Sequence, residues 1–247
     1  MRNSESNNNC IYNLLYVNFN EDTVRENNFY YNLQYPTFYN FNNTYFHVDS
    51  NVLNNINSTI KTDAYTFKDG LFEEDKSANE SASKNALPKK NYKVLSNYAV
   101  TFNKNHILST IVNLMAFGGE YAPQYNQINN YNLDLLTGNE IYLKDIFNDG
   151  VDYIKVITDY INYKINQDKN WYYKDVFISI PDDQAFYLTD EGIIIYFGLD
   201  EIAPSEFGVP KFKMSFNKFA PYINPRFYCV AQNVNSSTRK RYRHPKR

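Results

Sequence analysis

The stretch from Phe186 to Phe197, FYLTDEGIIIYF, decides the architecture of the second half of this chain. Two apolar runs flank the turn residues TDEG, and this pattern is typical of an antiparallel β-hairpin. A third apolar alternation follows at residues 211–216. The sequence therefore predicts a small antiparallel sheet in this region.

An amphipathic helix precedes the hairpin. Its apolar residues recur every three or four positions from Val151 to Ile165, which places them on one helix face. Further strands are predicted at 28–35, 92–102, 107–117, 130–136 and 176–180. Because helices and strands do not alternate one by one, we predict an α+β fold with two sublobes, each with a helix packed on an antiparallel sheet.

The domain organisation follows from changes in composition along the chain. Both ends are polar and irregular, whereas the middle carries the periodic apolar patterns. We expect a flexible N-terminal segment at 1–27, a first sublobe at 28–129, a second sublobe at 130–220 and a C-terminal extension at 221–247. Within the N-terminal segment, residues 11–17 could add an edge strand.

Three boundaries are predicted inside the first sublobe. Pro36 is expected to end the first strand. Asp49 and Ser50 offer capping oxygens to a short helix that ends near Lys61. The run at 69–90, DGLFEEDKSANESASKNALPKK, is charged and rich in small residues, so we expect a long exposed loop there.

Composition places the chain among globular proteins and leaves one excess to explain. The 247 residues are 43% hydrophobic and 21% charged, which is close to globular averages. Aromatic residues make up 17%, with 24 Tyr and 18 Phe, and the chain has 37 Asn against 11 Ala. The codon usage of a low-GC genome explains such an excess without any function, whereas a Tyr-rich surface would bind or cross-link.

Charge and hydropathy exclude two classes of partner. The formal net charge is −2, so no overall field attracts nucleic acid or an anionic membrane. Only the run RKRYRHPKR at 239–247 is strongly basic. It is either a solvated chain end or an anchor on an acidic polymer. No apolar run reaches the ~18 residues of a membrane span, and MRNSESNNN does not resemble a secretory signal. We expect no nucleic-acid partner and no transmembrane span.

The sequence carries few signals of catalysis or metal binding. The sequence has three histidines, which stand apart, and two cysteines, Cys10 and Cys229, so no metal or cofactor site is predicted. It contains no nucleophile elbow, P-loop or dinucleotide fingerprint. Acidic residues at 182–183, 200–201 and 206 lie in predicted loops, where they are turn formers or a catalytic carboxylate pair.

Aromatic stretches near loop acids are the remaining candidates for ligand binding. YYNLQYPTFYNF at 30–41 and WYYKDVF at 171–177 either stack on sugar rings or bury one face of a sheet. The candidate ligand-binding residues are Tyr39, Tyr121, Tyr125, Trp171, Tyr172, Asp200 and Glu201.

The order of several motifs resembles the PdaC/RsiV-like family, in which a deacetylase PdaC N-terminal domain precedes an RsiV-like domain. The second half carries the family's hairpin, its EIAP turn and a following glycine. The residues that match this scaffold are Phe186, Tyr187, Gly192, Glu201, Ile202, Ala203, Pro204 and Gly208. Upstream, the resemblance rests on 35–36, the helix around Asn57, 107–109, 118–119, 134–138 and 143–147. It departs at Asp200, where the family has Tyr, and at 118–123, where a family histidine is missing.

The resemblance implies a binding function without catalytic groups. Members of the family include ectodomains of anti-sigma regulators that bind lysozyme, and modules beside a peptidoglycan deacetylase domain. On this basis we expect a noncatalytic binding module of a Gram-positive bacterium, at the cell envelope or spore surface, that recognises a lysozyme-like protein or a cell-wall glycan. The alternatives are a Tyr-rich structural protein of the spore coat and a glycan hydrolase that uses loop carboxylates.

Overall fold

The fold contains a five-stranded sheet, a three-stranded sheet and helices, which confirms the predicted α+β class with two sublobes. The computed structural model describes residues 10–13, 15–26, 28–41, 47–85, 91–118 and 125–228. The predicted basic tail at 239–247, Tyr121 and Cys229 lie outside these residues.

The larger sheet is mixed. Its strands follow chain order: β1 (Leu15–Glu26), β2 (Phe29–Asn40), β3 (Tyr92–Lys104), β4 (Ile107–Gly118) and β5 (Tyr125–Asp134). β2 and β3 are parallel, whereas the other neighbours are antiparallel. A parallel pair needs a long crossover, and the helix α1 (Ser50–Lys84) provides it. The expectation of a wholly antiparallel sheet in this sublobe was wrong for this reason.

The N-terminal segment is not a flexible extension throughout. β1 pairs with β2 along its whole length, and the Tyr65 hydroxyl on α1 donates to Asp22 Oδ2 of β1 at 2.6 Å. β1 is an edge strand with many exposed side chains, so its sequence is too polar to show the usual alternation.

Pro36 lies inside β2 and does not end it. Two neighbouring even-numbered residues show in which direction the backbone nitrogen of Pro36 points. Gln34 N donates to Ser96 Oγ, and Phe38 N donates to Asn57 Oδ1. Both groups face away from β1, and the ladder to β3 has ended at Leu33. Proline is tolerated at such a position because no strand there requires its missing N–H.

The predicted loop at 69–90 was also wrong, because residues 69–84 belong to α1. The helix continues past Lys61 since its apolar stripe continues through Ala64 to Leu71, which packs near Phe29. The later turns are rich in Glu, Lys, Ala and Ser, a composition in which Glu, Lys and Ala favour exposed helix as readily as loop. Residues 86–90 lie outside the described part of the chain.

The smaller sheet confirms the predicted hairpin. β6 (Phe186–Thr189) and β7 (Gly192–Tyr196) pair antiparallel, and β8 (Lys211–Ser215) adds to β7. A Cβ at Gly192 would lie 2.3 Å from Met214 O, so this position accepts only glycine. Short helices α2 (Leu143–Ile146) and α4 (Phe216–Phe219) flank the sheet, and α3 (Tyr153–Gln167) buries Ile157, Ile161 and Ile165 against it.

Three further boundaries differ from the prediction. Residues 176–180 form no strand, because the Asn162 side chain on α3 bonds both Ile178 N (2.9 Å) and Ile178 O (2.8 Å). The division at 129/130 falls inside β5. The expected extension from residue 221 begins with ordered structure, since Ile223 and Phe227 are buried in the same core as α3.

Two buried polar side chains join the sheets. Ser109 on β4 accepts from Leu188 N (3.0 Å), and Asn132 on β5 donates to Phe186 O (2.9 Å). The Ser109 hydroxyl also donates to Asn132 Oδ1 at 2.7 Å. Both residues are almost fully buried. The outer edge of β6 is thus closed by side chains of the larger sheet, which we call the sheet-to-sheet lock.

Candidate ligand-binding site

An exposed group of aromatic rings lies where the chain leaves α3. Four exposed side chains belong to it, and we call them the aromatic surface: Trp171 and Phe207, whose rings are in contact, and Tyr173 and Phe177, which line one cavity. In this order they expose 56%, 41%, 40% and 75% of their area. Large apolar side chains that cluster in solvent mark interaction sites more often than single exposed ones do.

Trp171 and Phe207 form the ring pair of this surface. The two ring centroids lie 4.8 Å apart with planes inclined by 51°. Phe207 ends a 3-10 turn that begins after Pro204, and its N–H donates to Pro204 O at 2.9 Å. Gly208 then adopts a φ of 74°, in the left-handed region that glycine adopts readily. The family-like residues at 204–208 therefore place Phe207 beside Trp171.

Asp200 fixes the position of Tyr173. The Tyr173 hydroxyl donates to Asp200 Oδ1, and the Tyr173 N–H donates to Ile202 O at 3.1 Å. The hydrogen bond to the Asp200 carboxylate raises the pKa of Tyr173, with some desolvation adding to it. Asp200 itself has a φ of 64°, a backbone strain that is often found at functional sites.

Glu201 holds its own loop together. Its Oε2 accepts from Gly198 N at 2.5 Å, and the neighbouring Ile202 and Ala203 are buried. Asp182 is likewise engaged, since it accepts from the Tyr153 hydroxyl at 3.2 Å. These carboxylates form local bonds of the kind expected of turn residues.

A cavity of ≈ 600 Å³ adjoins the aromatic surface. Tyr173 and Phe177 contribute rings to its lining, and Asn170, Lys169 and Lys174 contribute amide and ammonium groups. Asn162 also lines it but is occupied by Thr158 O and by the backbone of Ile178. Rings beside hydrogen-bonding groups suit a ligand that has both apolar faces and hydroxyls.

The structure brings together four of the predicted residues. Trp171, Tyr172, Asp200 and Glu201 all lie in or next to the aromatic surface, although Tyr172 is half-buried and stacks on Phe212 with centroids 5.9 Å apart. Tyr172 is therefore an anchor for the segment. Burial raises its pKa, and Asp168 adds to the shift.

The other predicted residues lie elsewhere. Tyr39 is exposed on β2 opposite Tyr16 of β1. Tyr125 begins β5, and its hydroxyl donates to Glu74 Oε2 of α1 at 3.2 Å. Sequence reasoning missed Phe177 and Phe207 as site residues. The position of Phe207 between the EIAP turn and Gly208 was the signal that could have identified it.

The described residues contain no group of three His, Cys, Asp or Glu side chains that could hold a metal ion. Among the helices of the same residues, none has the length and apolar character that a membrane crossing requires.

Comparison with known proteins identifies two family segments. Residues 23–121 match the family model described as deacetylase PdaC, and residues 144–217 match the model described as a protein of unknown function, DUF3298. These matches agree with the predicted PdaC/RsiV-like resemblance. No curated protein matches the chain.

Solved structures of the second family share the fold. A DUF3298 member from Bacteroides fragilis is 16% identical, with a TM-score of 0.64, and the match covers 86% of this chain and 95% of that one. A DUF3298 protein from Pseudomonas aeruginosa is 11% identical with a TM-score of 0.51, over 87% and 95% of the two chains. The likeness extends over both sheets and shows the fold.

Proposed function

We propose that this chain, which joins a PdaC segment to a DUF3298 segment, is a noncatalytic binding module of the bacterial cell envelope or spore surface. The ligand is a cell-wall glycan, and the aromatic surface binds it. The exposed Trp171–Phe207 pair carries the proposal, because two adjacent exposed rings offer apolar faces on which a sugar residue can stack.

Polar groups around the platform support a glycan in preference to a purely apolar ligand. Lys169, Asn170 and Lys174 line the adjoining cavity, and Asp200 has acceptor capacity beyond its bond to Tyr173. A sugar presents C–H groups on its faces and hydroxyls at its rim. The arrangement of rings and polar side chains complements both.

A disulfide supports an oxidising compartment. Cys10 is disulfide-bonded, and the one other cysteine of the sequence, Cys229, lies outside the described residues. Structural disulfides are typical of exported proteins and rare in the cytosol. A place at the envelope or spore surface is consistent with this bond.

The proposal is tested by calorimetry with chitohexaose and with soluble peptidoglycan fragments. We expect Trp171→Ala and Phe207→Ala to weaken binding by about tenfold each. Tyr222→Ala is the matched control, because Tyr222 is also exposed but lies in another turn, and it should bind as the parent does. Absence of binding to both ligands, or equal binding by Trp171→Ala, would contradict the proposal.

A protein ligand is the second candidate, because Trp and neighbouring aromatics are also the side chains that dominate protein interfaces. Titration with lysozyme under the same conditions distinguishes the two. If the chain binds lysozyme in a Trp171-dependent way and does not bind glycan, the ligand of the aromatic surface is a protein. The hydrolase alternative receives less support, since Asp200 and Glu201 are engaged in local hydrogen bonds.

A further inference from the structure

We infer that the free edge of β5 binds an extended segment of a partner polypeptide that carries a Lys or Arg beside Asp63. This inference concerns a different part of the molecule from the aromatic surface and does not depend on the proposed glycan binding.

The hydrogen bonds at one end of β5 show which of its backbone groups face outward. Asn132 O accepts from Ile141 N (2.8 Å) and Asp134 N donates to Asn139 O (2.9 Å). Residues 139–141 thus cover the end of β5 on the side away from β4. Because backbone groups alternate along an antiparallel strand, the outward groups of β5 belong to its even-numbered residues.

The rest of this edge is largely open. At Ile128 the outward carbonyl accepts from the Tyr196 hydroxyl at 2.9 Å, and the same hydroxyl contacts Asn130 Oδ1 at 2.6 Å. Within the described part of the chain, the outward backbone N–H groups of Asn126, Ile128 and Asn130 have no partner. Unpaired strand edges of this kind recruit extended peptides by strand addition.

A groove leads to these groups. Its volume is ≈ 620 Å³, and β5 residues 126–131 form its floor. Residues 196–199 and Val209 line it on the side of the smaller sheet, and Asp63 lines it on the side of α1. From Asn126 to Asn130 the strand rises about 14 Å. The groove therefore offers room for one extended segment of about five residues.

The charges in the groove select the partner. A second cavity of ≈ 410 Å³ shares Asp63, Asn130 and Tyr131 with the first, and Glu140 also lines it. Neither lining includes a Lys or Arg among the described residues. Asp63 Oδ2 accepts from the Tyr131 hydroxyl at 2.8 Å, which fixes the carboxylate at the point shared by both cavities. A cationic side chain on the bound segment would complement it.

The backbone part of the inference is tested with a fluorescent peptide, acetyl-TVTRTVT-amide, and two N-methylated versions of it. One version is methylated at even-numbered positions and the other at odd-numbered positions. Only alternate N–H groups of an added strand face the edge of the sheet. We expect one version to bind at least tenfold more weakly and the other to bind as the parent peptide does. Equal binding of all three would overturn the inference.

Two variants of the protein test the named residues. Asn126→Pro removes an outward N–H that makes no ladder bond to β4, so it should fold normally and bind the peptide several-fold more weakly. Asp63→Asn retains an acceptor for Tyr131 and removes the charge. It should weaken the binding of the TVTRTVT peptide but leave the binding of a TVTVTVT peptide unchanged. Normal thermal unfolding with unchanged peptide affinity in both variants would contradict the assignment.

Other occupants of the groove are outcomes of the same experiment. If the chain ending at Tyr228 binds the peptide tenfold more tightly than the full chain, the groove belongs to the basic C-terminal residues and the partner assignment fails. If the full chain dimerises and Asn126→Pro abolishes the dimer, the occupant is a second copy. Equal peptide affinity of the two chain lengths, in a monomer, supports a separate partner.

Discussion

Two stretches of similar aromatic content have opposite fates in this molecule. In FYYNLQYPTFYN, which forms β2, Phe29, Tyr35 and Phe38 are buried. In WYYKDVF at 171–177, Trp171 and Phe177 are among the most exposed large side chains. β2 has β1 beside it along its whole length and α1 packed against it, whereas 171–177 pairs with no strand. Neighbouring elements, and not aromatic content, decide which rings are available to a ligand.

Removing one ring from each stretch tests this difference most directly. Phe38→Ala should lower the free energy of unfolding by about 3–5 kcal/mol, because Phe38 is fully buried. Trp171→Ala should cost less than about 1 kcal/mol. Urea denaturation measures both. A larger loss for Trp171→Ala than for Phe38→Ala would show that the aromatic surface is a structural core.

A polar substitution tests why β2 holds its position past Pro36. Asn57 on α1 accepts from Phe38 N (2.7 Å) and donates to Phe38 O (3.0 Å). Asn57→Ala leaves both backbone groups without these partners and should lower stability by about 2 kcal/mol. The nearby helix substitution Asn54→Ala, at an exposed position, is the control and should be close to neutral. A neutral Asn57→Ala would mean that water replaces the side chain.

The backbone conformation at Gly208 is expected to hold Phe207 in its place in the aromatic surface. Gly208 has a φ of 74°, and a Cβ there would meet no atom within 4 Å, so Gly208→Ala isolates the cost of the left-handed conformation. We expect a loss of about 1 kcal/mol, together with weaker glycan binding as Phe207 shifts. Trp171 fluorescence reports that shift. Gly150→Ala, which has a φ of 80° and equally open surroundings, should show the stability loss without the fluorescence change.

The smallest expected effect is a pH dependence at Tyr173. Its pKa is raised above the ordinary 10 by the bond to Asp200. A raised pKa favours the protonated form in the folded state, so this contribution to stability is present below pH 10 and decreases as pH rises above it. In Asp200→Asn the Tyr173 pKa should move back toward 10. NMR titration of ring-labelled tyrosine measures this, and an unchanged pKa would show that the bond is absent in solution.

The hairpin, the stripe of α3 and the central strands could be predicted from the sequence, because in each case local periodicity and long-range packing agree. Pro36 and the second half of α1 could not. Proline inside β2 is acceptable only because of where β3 stops, and the polar turns after Ala64 are helical because α1 spans the sheet between two parallel strands. Both reasons lie in distant parts of the chain.

The candidate site was predicted in part. Trp171 and Asp200 could be named from composition and turn chemistry, but their proximity depends on Tyr173 bonding across 27 residues to Asp200. Phe207 was missed because a lone aromatic residue in a loop carries no periodic signal. The open edge of β5 could not be predicted at all, since the order of strands in the sheet determines which strand has a free side.

The sheet-to-sheet lock has a consequence for how the chain reaches its fold during synthesis. The N–H of Leu188 and the carbonyl of Phe186 are bonded by Ser109 and Asn132, which leave the ribosome more than fifty residues earlier. The first sheet can therefore be in place before β6 emerges, and it then serves as a template that closes the new strand at once. A fragment limited to residues 144–217 would lack this template and expose the β6 edge to other chains. We therefore expect such a fragment to aggregate more readily than the full chain.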